Sequence, residues 1–175
     1  MAELLTHVLA AFIFATVASW RFTSITPPLV IACMIGAVIP DLNRVDLILP
    51  AETITALTGL PWEWGVFHRA GGALLVAVIF ALLVRGDLRI PVFAMLTVGI
   101  ASHFFIDYFL WQPTGATNLM LWPFLHVTVD YQGFYRSTER WTAVLAIIGT
   151  AIILVIDRYL IASTPNESAR SETPE

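Results

Sequence analysis

Long apolar runs separated by short polar connections dominate the chain. Crossing a bilayer as an α-helix takes about 20 apolar residues, with a range of roughly 17 to 25. The runs of that length are Ala2–Trp20, Val66–Val84, Ile90–Trp111 and Trp141–Leu160. Ile25–Pro40 is shorter, but the threading of the other runs requires a span there. The pattern predicts an all-α polytopic membrane protein with about five transmembrane helices.

The connections between these runs differ in length and character. RGDLR, residues 85–89, reads as a tight polar turn. Two longer connections, residues 41–65 and 112–140, contain apolar patches such as LILP and LMLWPF that are too short to span. We expect both to form interfacial or re-entrant loops on one side of the membrane. Residues 163–175 are rich in Ser, Thr, Pro and Glu, which predicts a disordered polar tail after a single transmembrane domain, 1–162.

The composition supports a membrane protein and excludes several other classes. With 58% hydrophobic and only 13% charged residues, the chain has too little polar sequence for a separate soluble domain. The net charge of −4 and the lack of a basic patch argue against a nucleic-acid partner. The single cysteine, Cys33, excludes disulfides and cysteine-based metal sites. The first run lacks a basic leading region, so we expect an uncleaved helix rather than a signal peptide.

One apolar run carries two groups that are costly to place in hydrocarbon. His103 and Asp107, in the stretch ASHFFIDYF, are four residues apart and so share one helix face. Threading five spans back and forth places three more such groups at the same membrane face. They are His7 near the start of the first span, Asp41 after the second and His68 at the start of the third.

Three imidazoles and two carboxylates at one depth suggest a divalent metal site. Zn²⁺ accepts this mixture of nitrogen and oxygen ligands, and Mn²⁺ or another transition metal is an alternative. A catalytic metal keeps one position open for water and lowers the pKa of that water to about 7. We therefore predict His7, Asp41, His68, His103 and Asp107 as ligands, with one carboxylate, Asp41 or Asp107, as a catalytic base instead.

Arg69 follows a candidate ligand and has the planar fork that suits phosphate, so it is a candidate catalytic clamp for an anionic group. The equal alternative is that its side chain extends toward the lipid headgroups. Each proposed ligand also has a structural alternative. A histidine can form an interhelical hydrogen bond, Asp107 can pair with Arg69 or Arg136, and Asp41 can end a helix. His126 is isolated in a loop and is expected at the surface.

Several short motifs occur in a fixed order along the chain. They are Thr6-His7, Pro40-Asp41-Leu42-Asn43, His68-Arg69, Ser102-His103 with Asp107, and Leu121-Trp122-Pro123-Phe124. From residue 6 to about 125 this set resembles the YdjM-like family of membrane-bound, predicted metal-dependent hydrolases. The resemblance implies a metal-dependent hydrolase with these residues at its site.

Two positions depart from the pattern of that family. Asn43 replaces the second carboxylate of its P-D-x-D motif. HRAGGAL stands where the family has H-R-G-x-T-H-S, and Gly72 is assigned to the place of the second histidine. Both changes remove a potential ligand, which leaves enough ligands for one metal rather than two.

Three classes of function fit these observations. The first is a hydrolase that uses metal-activated water on a phosphoester or similar ester, with membrane lipids or small molecules as partners and substrates. The second is a small transporter or a proton or metal conduit, because intramembrane ionisable residues often line such paths. The third is a non-catalytic membrane protein with a structural metal. Clustering at one membrane face favours the hydrolase over the conduit.

The arginines suggest an orientation. The short connections opposite the candidate site carry Arg21, Arg85 and Arg89, and short loops rich in Arg or Lys face the cytoplasm. We therefore expect a multi-pass protein of the plasma or inner membrane with its site and N-terminus outside and its C-terminus inside.

This orientation is testable by cysteine accessibility. Single cysteines placed at Asp87 and at Asn118 should react with a membrane-impermeant thiol reagent from opposite sides, because an odd number of crossings separates them. Equal labelling of both from one side would show that the threading is wrong.

Overall fold

The computed structural model describes residues 2–111, 116–117, 120–125, 129–130 and 133–163. Its α-helices are α1 (Ala2–Arg21), α2 (Pro27–Val38), α3 (Ala51–Thr58), α4 (Ala70–Leu83), α5 (Arg89–Asp107) and α6 (Trp141–Ser163). Its 3₁₀ segments are Ile39–Leu47, Trp64–His68 and Gly86–Leu88. Two short strands, β1 (Ala116–Thr117) and β2 (Val129–Asp130), pair antiparallel, with Ala116 opposite Asp130. The described part of the chain is therefore mainly helical.

Four helical stretches in the described part of the chain are long and apolar enough to cross a membrane. They are Leu4–Arg21, Pro27–Leu47, Gly86–Asp107 and Trp141–Leu160. α4 is a shorter apolar helix of 14 residues, which is about 21 Å at the usual rise per residue. The predicted all-α membrane architecture is confirmed, with four long helices and α4 in the position of the fifth span.

The third predicted span begins later than the sequence pattern suggested. Val66 to His68 belong to the 3₁₀ segment Trp64–His68, and Arg69 has an extended backbone with φ −120° and ψ 143° before α4 starts. His68 therefore lies in a turn ahead of the helix. Glycine permits this tight entry, because a Cβ on Gly72 would collide with the carbonyl oxygen of Val66.

α2 and α5 cross with their backbones in close contact. A Cβ on Gly36 would collide with the carbonyl oxygen of Leu96, and one on Gly99 with that of Cys33. Small residues at a membrane helix interface allow such close backbone approach. Gly99 is one turn before His103, so this crossing presses the polar end of α5 against the end of α2.

α1 and α6 complete the bundle. Ala11 and Ala15 of α1 are buried against α2, in a cluster that includes Ala37. α6 lies at the edge and exposes much of its aliphatic surface, as expected of a helix that faces lipid. Nε1 of Trp20 donates to Oδ1 of Asp157 at 2.8 Å, which fixes the ends of α1 and α6 on the side opposite His7.

The loops on the His7 side pack against helix ends. α3 contains no buried residue and is therefore peripheral, in keeping with the predicted interfacial loop. The segment 120–125 covers the start of α4, where the N–H groups of Ala70 and Gly71 donate to the carbonyls of Met120 and Trp122 at 2.6 and 2.9 Å. These bonds satisfy N–H groups that a helix start leaves unpaired.

Two sequence predictions lie outside the described residues. One is the surface location of His126. The other is the disordered tail from residue 164 onward; Ser163, its first predicted residue, is the last residue of α6.

The α2–α5 crossing predicts a sensitivity to one added methyl group. Gly99→Ala should lower the free energy of unfolding in mild detergent by about 1–3 kcal/mol, because the new Cβ has backbone rather than flexible side chain in its way. Thermal unfolding measures the change. Gly86→Ala is the control, since nothing lies within 4 Å of its Cβ position. Equal stability of Gly99→Ala and wild type would contradict the close crossing.

Candidate metal centre

Four polar side chains meet at one end of the helix bundle. His7 comes from the second turn of α1, His68 from the turn before α4, and His103 and Asp107 from the last turns of α5. His7, His103 and Asp107 are 2%, 0% and 4% exposed, so they are withdrawn from water. The side chain of His68 keeps 24% exposure and lies at the open edge of the group.

The carboxylate of Asp107 is the common neighbour of the three imidazoles. Nε2 of His7 lies 3.1 Å from its Oδ1. Nε2 of His68 and Nε2 of His103 each lie 3.1 Å from its Oδ2. Three separate parts of the chain therefore direct the same ring nitrogen toward one carboxylate.

The imidazole rings also pack on one another. The rings of His7 and His103 stack with centroids 3.9 Å apart and planes 19° apart. His68 meets His103 edge-on, with a centroid distance of 5.3 Å. The ring of Phe104 stands edge-on to both His68 and His103, at 5.8 and 5.9 Å. This packing leaves each ring little freedom to turn.

Backbone carbonyls set the tautomers of two of these histidines. Nδ1 of His103 donates to the carbonyl of Ala37 at 2.8 Å, and Nδ1 of His68 donates to that of Pro40 at 3.3 Å. A carbonyl oxygen only accepts, so Nδ1 carries the proton in both rings. In neutral histidine, Nε2 then presents a lone pair to the Asp107 carboxylate. Two acceptors at 3.1 Å repel each other unless a proton or a metal cation lies between them.

The pKa of His68, which lies outside the membrane-spanning helices, is also set by these neighbours. Burial opposes a positive charge on the ring. The hydrogen bond and negative charge of Asp107, the Pro40 carbonyl and the charge of Asp41 outweigh that burial, so the pKa of His68 lies above its usual value. The site therefore attracts positive charge.

The geometry suits a small divalent cation. One ligand atom each from His7, His103 and Asp107 lie within 4.8 Å of one another. Ligands 2.0–2.2 Å from a tetrahedral zinc are about 3.3–3.6 Å apart, close to the 3.1 Å seen here between nitrogen and oxygen. The group also has the nitrogen and carboxylate donors that such metals prefer.

Unpartnered polar atoms mark the same region. Among the described residues, the buried side-chain atoms without a hydrogen-bond partner are His7 Nδ1, Asp41 Oδ2, Asn43 Oδ1 and His103 Nε2. Buried polar atoms are almost always paired, and an unpaired one often indicates an ion or water. Although Nε2 of His103 is 3.1 Å from Asp107, it is not aligned for a hydrogen bond, as expected if both atoms face a third partner.

Asp41 is near this group but is held differently. It is buried, and its Oδ1 accepts a hydrogen bond from Nε of Arg44 at 2.7 Å. Neither Asp41 nor His68 is one of the three residues whose ligand atoms all lie within 4.8 Å of one another; His68 approaches only the Asp107 carboxylate, at 3.1 Å. The sequence reasoning missed Arg44, although its spacing of three residues from Asp41 on a helical turn is a usable signal.

The arginines do not pair with Asp107 as the structural alternative suggested. Nη2 of Arg69 donates to Oε1 of Glu63 at 2.6 Å. The guanidinium of Arg136 lies over the ring of Trp111, 4.8 Å from its centroid. Asp107 is instead surrounded by imidazoles.

The assignment of the absent second histidine to Gly72 needs correction. Counted from His68, the histidine of H-R-G-x-T-H-S falls on Ala73, which is fully buried in α4. Gly72 itself has no room for a side chain, because its Cβ position meets the carbonyl of Val66. Asn43 keeps an oxygen where the family motif has a carboxylate, and that oxygen is one of the unpartnered atoms.

Comparison with curated proteins and with solved structures gave no significant match. A family model described as the YdjM inner membrane protein matches residues 1–169, nearly the whole chain. This match agrees with the apolar helices and with the ordered motifs around His7, Asp41, His68 and His103. The chain thus belongs to the YdjM inner membrane protein family and is a multi-pass protein of the inner membrane.

Proposed function

We propose that this protein is a metal-dependent hydrolase that cleaves a phosphoester or similar ester at the membrane surface. His7, His68, His103 and Asp107 would hold one divalent metal, with zinc as the first candidate. The observation that carries the proposal is the approach of three Nε2 atoms to one buried carboxylate, each at 3.1 Å. Because Nδ1 of His103 and of His68 donates to a backbone carbonyl, neutral rings cannot also donate from Nε2 to Asp107, and a cation between these atoms would satisfy them.

The surroundings of the histidines support a role as ligands. Metal-binding histidines usually donate their other ring N–H to a carbonyl or carboxylate, which fixes the ring and raises the basicity of the ligand atom. His103 and His68 do this to Ala37 and Pro40. Both carbonyls belong to the end of α2 and the residues just after it, so the α2–α5 contact orients the ligands.

Asp41 is the candidate base in this proposal. A bound divalent metal would supply a nucleophile at neutral pH by lowering the pKa of water in its open position. Arg44 holds Oδ1 of Asp41, while Oδ2 is buried and unpartnered. Oδ2 could therefore take a proton from water as the water oxygen bonds to phosphorus, and return it to the alkoxide oxygen as the bond from that oxygen to phosphorus breaks.

Arg69 remains the candidate clamp for the anionic group of the substrate. It lies next to His68 and pairs with Glu63, whose side chain is 64% exposed. An exposed ion pair contributes little stability, so a phosphate at the metal centre can replace the Glu63 carboxylate as the partner.

The distribution of buried polar groups favours a hydrolase over a conduit. Among the described residues, the buried carboxylate and imidazole side chains are His7, Asp41, His103 and Asp107, all at one end of the bundle. Toward the opposite face, the buried polar side chain is Thr16. A proton or metal path across the membrane would need further ionisable groups along the helices.

Metal content tests the site directly. Protein purified in mild detergent without added metal should contain about one divalent metal per chain, and His103→Ala should contain almost none, because losing a ligand is worse than the roughly 10–100-fold cost of losing an orienting neighbour. Elemental analysis gives both values.

His126→Ala is the control, since it removes the fourth histidine of the sequence, which we predict to lie at the surface. It should keep its metal. A wild-type protein that is metal-free and does not take up zinc, manganese or nickel would overturn the proposal.

The role of Asp41 can be separated from metal binding. Asp41→Asn should keep the metal and lower hydrolysis of a soluble phosphodiester such as bis-p-nitrophenyl phosphate by about 10²–10⁴-fold, the usual contribution of a general base. Asp46→Asn, an exposed carboxylate in the same 3₁₀ segment, is the control and should leave the rate unchanged. Loss of metal from Asp41→Asn would instead make Asp41 a ligand.

A further inference from the structure

A deep apolar groove runs along the membrane-embedded part of the protein beside the metal centre. Its volume is about 550 Å³. We call it the α4–α5 groove; its walls include Ala70, Leu74, Thr97, Ala101, Phe105 and Leu125. Segment 120–125, which is hydrogen-bonded to the start of α4, forms one wall. The groove is thus a built cleft rather than an open helix surface.

The chemistry of the groove suits a hydrocarbon chain. Of its lining side chains, those of Thr97 and Tyr108 carry a polar atom. Thr97 already donates its hydroxyl to the carbonyl of Phe93 at 2.9 Å. Sites of this volume that bind polar small molecules contain several placed polar groups to fix the ligand. An acyl chain needs no polar partner, and the surrounding bilayer supplies acyl chains.

The length of the groove matches one leaflet. Along α5 it extends from Thr97 to Tyr108, which is about 16 Å at 1.5 Å per residue. Half of a hydrocarbon core about 30 Å thick is about 15 Å. Tyr108 lies at the metal end and Thr97 near the middle of α5, so a chain in the groove would lie at the depth where lipid tails lie.

The groove is continuous with the metal centre. Phe104 lines the groove and stands edge-on to the rings of His68 and His103. Ala70, at the same end, is two residues from His68. A lipid whose tail lies in the groove would therefore bring its headgroup to the three imidazoles and Asp107.

We propose that the α4–α5 groove binds one acyl chain of a membrane lipid, and that the substrate of the metal centre is the phosphoester of that lipid. The substrate assignment rests on the proposed hydrolase function, whereas chain binding in the groove does not. The two are tested separately for this reason.

Chain binding is measured by photo-crosslinking in nanodiscs. The probe is a diacyl phosphatidylglycerol with a diazirine midway along one acyl chain, present at a low molar fraction. Peptide mapping should find labelling of Phe105 and of residues 121–125 enriched over the lipid-facing surface of α6 around Ile148. Labelling of wild-type protein treated with a chelator should be the same as that of untreated protein, because none of the residues that line the groove is a candidate ligand.

Filling the groove provides the specific variant. Ala101→Trp places a large ring in the groove and should reduce labelling there roughly tenfold, as overfilling a packed site does. Ala94→Trp is the matched control: the same change on an exposed position of α5 that lines neither groove nor core. Groove labelling equal to that on α6, or unchanged in Ala101→Trp, overturns the proposal. Absent labelling, as when a second copy of the chain closes the groove, overturns it too.

Substrate assignment is measured with phosphatidylglycerols of two chain lengths. Ala101→Trp should raise KM for the long-chain lipid roughly tenfold and leave KM for a four-carbon analogue unchanged. An equal change in KM for both lipids would show that the groove does not bind the acyl chain of the substrate. Groove labelling without hydrolysis of any ester would overturn the proposed function and leave chain binding intact. Metal-dependent hydrolysis without groove labelling would overturn chain binding and leave the proposed function intact.

Discussion

The structure depends on one buried carboxylate and the imidazoles around it. An Asp107 placed near the end of a membrane helix is costly unless positive charge or hydrogen-bond donors surround it. His7, His68 and His103 surround it from three parts of the chain, and a proton or a metal cation between their Nε2 atoms and the carboxylate would meet that need. Because α1, the turn before α4 and α5 each contribute at this point, the Asp107 group ties these segments together at one end, as the Trp20–Asp157 bond does for α1 and α6 at the other.

The close crossing of α2 and α5 makes this arrangement possible. Gly36 and Gly99 remove the side chains that would hold the two backbones apart. The end of α2 then lies near enough for the carbonyl of Ala37 to accept from His103, and the next turn offers Pro40 to His68. Backbone packing thus decides which ring nitrogens face Asp107. Packing and site chemistry are coupled, since a shift of α2 would release both histidines.

The metal centre and the groove together suggest how such a small protein can act on a lipid. The polar groups are concentrated within about two turns of helix, and beside them the walls of α4 and α5 are apolar. A substrate with a phosphate head and a hydrocarbon tail matches both surfaces, and Phe104 separates them. In the proposed function, chain binding would position the ester without polar contacts and leave the charged groups for the reaction itself.

The sequence by itself determined the helical membrane fold and which residues could share a membrane face. Helix rise and run length fix depth, so His7, Asp41, His68, His103 and Asp107 were predictable at one level from spacing alone. Spacing does not tell which helices are neighbours within the membrane plane. Only tertiary packing decided that Asp107 lies among three imidazoles, because these come from parts of the chain far apart in sequence. It also placed segment 120–125 over the start of α4, where Ala70 and Gly71 donate to its carbonyls, contacts that an apolar run does not reveal.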